Sequence, residues 1–442
     1  MALVAAPAAR AEESFETPGV VRSADYLRDD LMQGHGWSVA PEATNDGVNN
    51  TYTVTSRFGS WEAVGAAQIT ARAGEVAALE RLEEISKTEV FLDAVERSVT
   101  APVKLIEDAT NQPVETLKRV PEGVGRWFRR TTYRVQEAYH DVSETVAEER
   151  AKRKARDRDE DREDERDDDQ KNAVLTRERR DELIEKAKTI AHKELRDHLR
   201  ISSAERRWYR ELGVDPSTDN VKLRRAIASV ARVDGLTSFG MKFVTLPTIP
   251  GSSELRKTME LVWDFNPHDL LRANHLQIVN AGLSRDTARA FEESRLTLTE
   301  QTVFLEALAE MPGVAGRRHL ISRAIDIETR QRARGLTSTA VLLARMHRDS
   351  TLLAEILPGS VLPVARTRAR DLVAISTAEA LFWTERVAQA TQEYASIYAD
   401  ETADERRLYI TGIASERFKA EVTALGWQVT DRWPGPATAA GP

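Results

Sequence analysis

The spacing of apolar residues changes character several times along the chain, and those changes predict its elements. Residues 20–66 read as a β-rich piece. Tyr52, Val54, Ser56 and Phe58 alternate with Thr51, Thr53, Thr55 and Arg57, the period-2 pattern of a half-buried strand. Gly59-Ser60 is the expected two-residue hairpin turn, with Trp61 to Gly65 as the returning strand. Asn45-Asp46-Gly47 marks an earlier turn. From about Gly74 to Val99 the period becomes helical, with Leu79, Leu82, Ile85, Leu92, Val95 and Val99 at threes and fours.

Residues 117–139 predict a second kind of helix. Val120, Val124, Trp127 and Phe128 share one face, and Lys118, Arg119, Arg126, Arg129, Arg130 and Arg134 cover the rest. A basic amphipathic helix bearing Trp and Phe suits an anionic membrane surface or an acidic protein partner. The candidate contact residues are Arg126, Trp127, Phe128, Arg129 and Arg130. A surface helix packing on its own domain would carry the same pattern.

Residues 171–358 read as helices joined by short loops, which favours a bundle of antiparallel neighbours. Ser202 with Glu205 forms a capping box, Gly213 ends that helix, and Asp215-Pro216 starts a turn. Asp219 is placed to cap the next helix. Asn266-Pro267 opens another, which runs to Asn280, and Thr297 with Glu300 opens a third. Two more are expected near 315–333 and 337–357, separated by Gly335. The last 80 residues or so predict strand–helix–strand–helix–strand: Asp371 to Ile375, a helix capped by Ser376 and Glu379 to about Ala399, Leu408 to Thr411, a helix from Ser415 to Leu425, and Trp427 to Thr430.

The expected fold class is therefore mainly α. It comprises a small N-terminal β-hairpin plus helix, a helical bundle, and a small C-terminal α/β (βαβαβ) parallel sheet. The expected divisions are a signal-peptide remnant (1–11), an N-terminal hairpin and helix region (12–140), a charged linker (141–200), a bundle (201–358), a small α/β domain (359–433) and a disordered tail (434–442).

Composition sharpens this picture. The chain has 442 residues, 41% hydrophobic, enough to bury real cores. It has no cysteine, which removes disulfides, thiolate chemistry and Cys-based metal sites. Its net charge of -8 argues against general nucleic-acid binding. Half of that charge lies in 148–170, where only Ala151, Ala155 and Gln170 are uncharged, the composition of a solvated linker. Leu3 to Ala9 is a short apolar run, and Ala9-Arg10-Ala11 fits a signal-peptidase site with the mature chain starting at Glu12.

Three segments carry a resemblance: YTVTSRFGSWE, RELGVDPSTDN and LYITGIAS…LGW. Together they resemble an uncharacterised family of predicted secreted bacterial proteins. The resemblance implies export and carries no activity, ligand or catalytic residue.

Chemical motifs are sparse. Phosphate loops, H-E-x-x-H and G-x-S-x-G are missing, so no cofactor is expected. His268 and His275 sit seven apart on one helix, with Asp264 and Asp269 nearby. About 10.5 Å of helical rise separates the histidines, too far for one ion, so no metal site is expected. The remaining candidate is the carboxyl end of the C-terminal parallel sheet. There Ser376, Thr411, Gly412 and Ser415 would present a Gly turn and a helix N-terminus to a small anion. The leading expectation is an exported, non-catalytic envelope protein acting by protein or membrane-surface interaction. The alternative is a ligand-binding or enzymatic protein using that C-terminal sheet.

Overall fold

The computed structural model describes residues 15–87, 201–231, 259–359 and 362–434. The chain opens with β1 (Val20–Arg22), β2 (Gln33–Gly34), β3 (Trp37–Val39), β4 (Glu42–Asn45), β5 (Asn50–Ser56) and β6 (Gly59–Val64). These form one antiparallel sheet, ordered β1-β4-β5-β3-β2, with β6 paired to β5. The alternation in β5 holds: Asn50, Tyr52 and Val54 are buried, and Tyr52 and Val54 join Val39, Ala43, Ala63 and Ile69 in a core.

The hairpin turn lies two residues earlier than expected. Ser56 pairs with Gly59, so Arg57-Phe58 makes the turn. Tertiary contacts stabilise that choice: the Arg57 guanidinium stacks 4.5 Å from the Phe58 ring centroid and pairs with Glu83. Gly59 provides its positive φ of 138° at the exit of the turn.

β6 runs directly into α1 (Gly65–Ser86), which begins nine residues before the expected start. The reason is visible in its burial. Ile69, Ala73, Gly74, Val76 and Ala78 are enclosed on several sides, so the first half has no single apolar stripe to read. Only its second half, with Leu79, Leu82 and Ile85, shows the expected periodicity. That half packs on α2 (Ser203–Leu212) and α3 (Val221–Ala231).

Then come α4 (Pro267–Asn280), α5 (Arg285–Glu292), α6 (Leu298–Ala309), α7 (Arg318–Asp326) and α8 (Arg330–Asp349). The capping boxes at Ser202/Glu205 and Thr297/Glu300 form, and Asn266 caps α4 with Pro267 in its first turn. Gly335 lies inside α8; the break falls before it, where Thr329 caps the helix.

The C-terminal part contains β7 (Leu353–Ile356), β8 (Val364–Thr367), β9 (Leu372–Ser376), β10 (Ala380–Leu381), α9 (Glu385–Ile397), β11 (Arg406–Ile410), β12 (Ile413–Ala414), α10 (Glu416–Ala424) and β13 (Gln428–Thr430). The five-stranded sheet is ordered β13-β11-β9-β8-β7. β9, β11 and β13 are parallel, whereas β7 and β8 are antiparallel. Side-chain alternation builds three layers. Val373 and Ile375 face the α4–α8 core; Leu372 and Ala374 face α9 and α10.

The mainly helical class with a small parallel sheet is thus corrected. The protein carries a six-stranded antiparallel sheet and a five-stranded mixed sheet. β7 was hidden because Leu353 and Ile356 continue the apolar spacing of the helix before them, and short apolar runs do not discriminate helix from strand. The short strands β1 to β4 carry too few residues to show a period.

Candidate functional site

The carboxyl ends of β9 and β11 meet the N-terminal sheet, and the sequence-predicted residues gather there. Ser376 ends β9, and its carbonyl accepts the Thr411 N–H at 3.0 Å. Neither Ser376 nor Glu379 caps α9, which starts only at Glu385 with Thr384 as its cap. The segment between holds β10, whose pairing with β12 competes with early helix formation. Ser415 does cap α10, accepting the Phe418 N–H at 3.1 Å.

The turn itself is internally engaged. The amides of Thr411, Gly412, Ile413 and Ser415 donate to the carbonyls of Ser376, Ala378, Glu379 and Leu381, and the Ala414 amide points to Asp431. The backbone at 411–415 therefore holds β10 and its flanking loop rather than a cradle open to an anion. Gly412 is required by closeness. A Cβ there would lie 2.0 Å from the Glu379 carbonyl oxygen.

Glu379 is the residue that the sequence reading missed as a tertiary group. Its carboxylate reaches across to the N-terminal part. The Tyr52 hydroxyl donates to one oxygen at 2.9 Å, and the Ala66 N–H donates to the other at 3.1 Å. Ala66 lies in the first turn of α1, whose N-cap residue, Val64, supplies no side-chain acceptor. Glu379 thus does from 313 residues away what a local Ser or Asp does for most helices, and its charge suits the positive helix end.

Asn residues complete the cluster. Asn50 Nδ2 donates to the Tyr52 hydroxyl, and Asn45 Nδ2 donates to Asn50 Oδ1 at 2.7 Å and to the Ala380 carbonyl. The Glu379 N–H donates to Asn49 Oδ1. Burial pushes the Glu379 carboxyl up, against hydrogen bonds from Tyr52, Ala66 and Asn50 that favour its charged form. Burial and the Glu379 charge push the Tyr52 phenol up, so it stays a donor. The chemistry this arrangement performs is clamping: each polar group in it joins the two sheets. The expected turn at Asn45-Asp46-Gly47 forms and delivers these asparagines. Gly47 has φ of 92°, and Asp46 Oδ1 accepts the amides of Val48 and Asn49.

A second polar cluster surrounds the middle of α1, built from the RELGVDPSTDN segment. Asn220, not Asp219, caps α3, with its Oδ1 accepting the Leu223 N–H. Asp219 is free to sit 2.6 Å from Arg72 and 3.8 Å from Arg334. Charges alternate from Glu75 to Arg72, Asp219, Arg334, Glu300 and Arg330, tying α1, the 213–220 turn, α6 and α8 together. Arg72 and Glu75 are its buried members, so removing either would strand the other's charge.

Asp215 lies beside this chain. Its Oδ1 accepts the Ser217 N–H at 2.8 Å and the Thr299 hydroxyl at 2.6 Å, yet burial pushes its carboxyl up to about 6. The folded state therefore holds this proton more tightly than the unfolded chain. Stability from the group is full below the ordinary carboxylate pKa and is lost as pH rises through about 6. Asp215→Asn keeps the acceptor and removes the charge. Relative to wild type it is expected to gain about 1–3 kcal/mol between pH 4 and 7, read by urea denaturation at each pH. A difference that stays constant across that range would contradict the assignment.

Arg126, Trp127, Phe128, Arg129 and Arg130 lie outside the described residues, as do residues 1–11 and the charged stretch 148–170. His275 pairs with Glu292 at 2.6 Å rather than converging with His268. Among the described residues, no group of three or more His, Asp or Glu side chains could hold a metal ion. Compared with family models, with curated proteins and with solved structures, the chain matches none.

Proposed function

We propose that the protein is an exported, non-catalytic cell-envelope protein that works by protein or membrane-surface interaction through the segment 88–200. One observation carries this reading. Ile85, near the end of α1, and Ile201, where the described chain resumes, pack on the same cluster with Trp208, Tyr209 and Leu212. The described residues on either side of 88–200 thus meet at one cluster. Long insertions of this topology cost little closure entropy and are where binding functions concentrate. This one contains the basic amphipathic pattern of 117–139.

The polar clusters among the described residues support a non-catalytic role, because Glu379, Tyr52 and the 411–415 amides are engaged in holding the fold. No described helix is long and apolar enough to cross a membrane. Export rests on the Ala9-Arg10-Ala11 pattern and the resemblance of the three motifs. Co-sedimentation with anionic vesicles tests the contact. Binding is expected to fall with salt and to drop at least about tenfold in Trp127→Ala/Arg129→Ala. Equal binding by wild type and the double variant would refute the role of this segment.

A further inference from the structure

The chain's N-terminal segment lies on the C-terminal sandwich through one residue, Glu16, and the contact has the form of peptide recognition. The Glu16 N–H donates to the Trp383 carbonyl at 2.9 Å. Its carboxylate accepts in return from the Trp383 N–H, and Glu16 Oε2 also accepts from the Ser415 hydroxyl at 2.6 Å. Backbone and side chain of one acidic residue are thus read together by residues 367 and 399 positions away.

The receiving surface is rigid. Trp383 is buried and packs edge-on against Phe418 of α10, with ring centroids 6.1 Å apart. Ser415 is fixed as the α10 cap, so its hydroxyl hydrogen is directed at the carboxylate while its oxygen accepts from Phe418. The α10 N-terminus adds a favourable field for a negative group. The peptide side is lightly held. Phe15 and Thr17 on either side of Glu16 are exposed, and so are Gly19 and Val20. The next tie is the Gly19 carbonyl accepting from Asn45.

We propose that Trp383 and Ser415 form a binding site for a glutamate-bearing peptide segment, which the chain's own Glu16 fills in cis as a displaceable strap. The site discriminates by charge as well as shape. Two donors converge on the carboxylate, and a neutral amide in its place would turn its own N–H₂ toward one of them or lose the charge-assisted bonds.

The test uses the full-length Glu16→Ala protein and a fluorescent peptide spanning residues 14–19 (SFETPG), followed by fluorescence polarisation. The emptied site is expected to bind the peptide saturably, at least about tenfold more tightly than wild type does. The peptide carrying Gln at the position of Glu16 and the Glu16→Ala/Ser415→Ala protein are each expected to lose at least about tenfold. Circular dichroism on both variants verifies that they remain folded. Equal binding by wild type and Glu16→Ala, equal binding of the Glu and Gln peptides, or no saturable binding to the folded Glu16→Ala protein would overturn the proposal. Each of these outcomes would leave Glu16 as a structural cap.

Discussion

Glu379→Ala is expected to cost about 3 kcal/mol of folding stability, measured by urea denaturation at neutral pH. The truncation has three consequences at once. Tyr52, whose side chain is fully buried, keeps a hydroxyl with no acceptor. The Ala66 N–H loses its partner at the start of a helix that has no local cap. A void opens between the two sheets. Glu379→Gln separates these effects. It fills the space and keeps one carbonyl acceptor, but it loses the charge that suits the α1 N-terminus. Its cost is expected to be about 1 kcal/mol. If Ala and Gln cost the same, the carboxylate is not acting through its hydrogen bonds.

Gly412→Ala is expected to be at least as damaging, at about 3–5 kcal/mol. The added methyl would approach the Glu379 carbonyl oxygen to 2.0 Å, its carbon to 2.4 Å and its Cα to 2.6 Å, all backbone atoms that cannot rotate away. The turn cannot retreat without breaking the Gly412 bond to Ala378 and the β10–β12 pairing of Ala380 with Ile413 and Leu381 with Ala414. Gly426→Ala is the control. Gly426 has φ of 85° but nothing within 4 Å of the new methyl, so only backbone strain of about 1 kcal/mol is expected. Similar thermal shifts for the two variants would show that the close approach at Gly412 is not real.

Local signals were the legible part of this fold. The inward face of β5, the capping boxes at Ser202/Glu205 and Thr297/Glu300, the Asn266-Pro267 helix start and the parallel β9, β11 and β13 were readable from local patterns. Readings failed where distant chain decides the outcome. Ser376 and Glu379 have capping-box spacing, but Glu379 is drawn instead to Tyr52 and Ala66. The first half of α1 hides its helical period because several layers enclose it. β7 and β8 are short, and their partners are what make them strands.

At the candidate site the sequence located the region. Ser376, Thr411, Gly412 and Ser415 share one edge, where the amides of Thr411, Gly412 and Ser415 hold neighbouring backbone and the Ser415 hydroxyl meets the Glu16 carboxylate. Nothing in the spacing could announce Glu16 or Tyr52, which arrive from the other end of the chain.

The N-terminal sheet and the end of β9 are clamped through the Tyr52–Glu379 hydrogen bond. A double-mutant cycle with Tyr52→Phe and Glu379→Ala, read as unfolding free energies, tests it most directly. The bond predicts that the two losses overlap, with a coupling of at least about 1 kcal/mol, because removing the hydroxyl also removes the group that Glu379→Ala strands. Losses that add to within about 0.3–0.5 kcal/mol would mean that the two side chains do not interact, and would contradict the clamp.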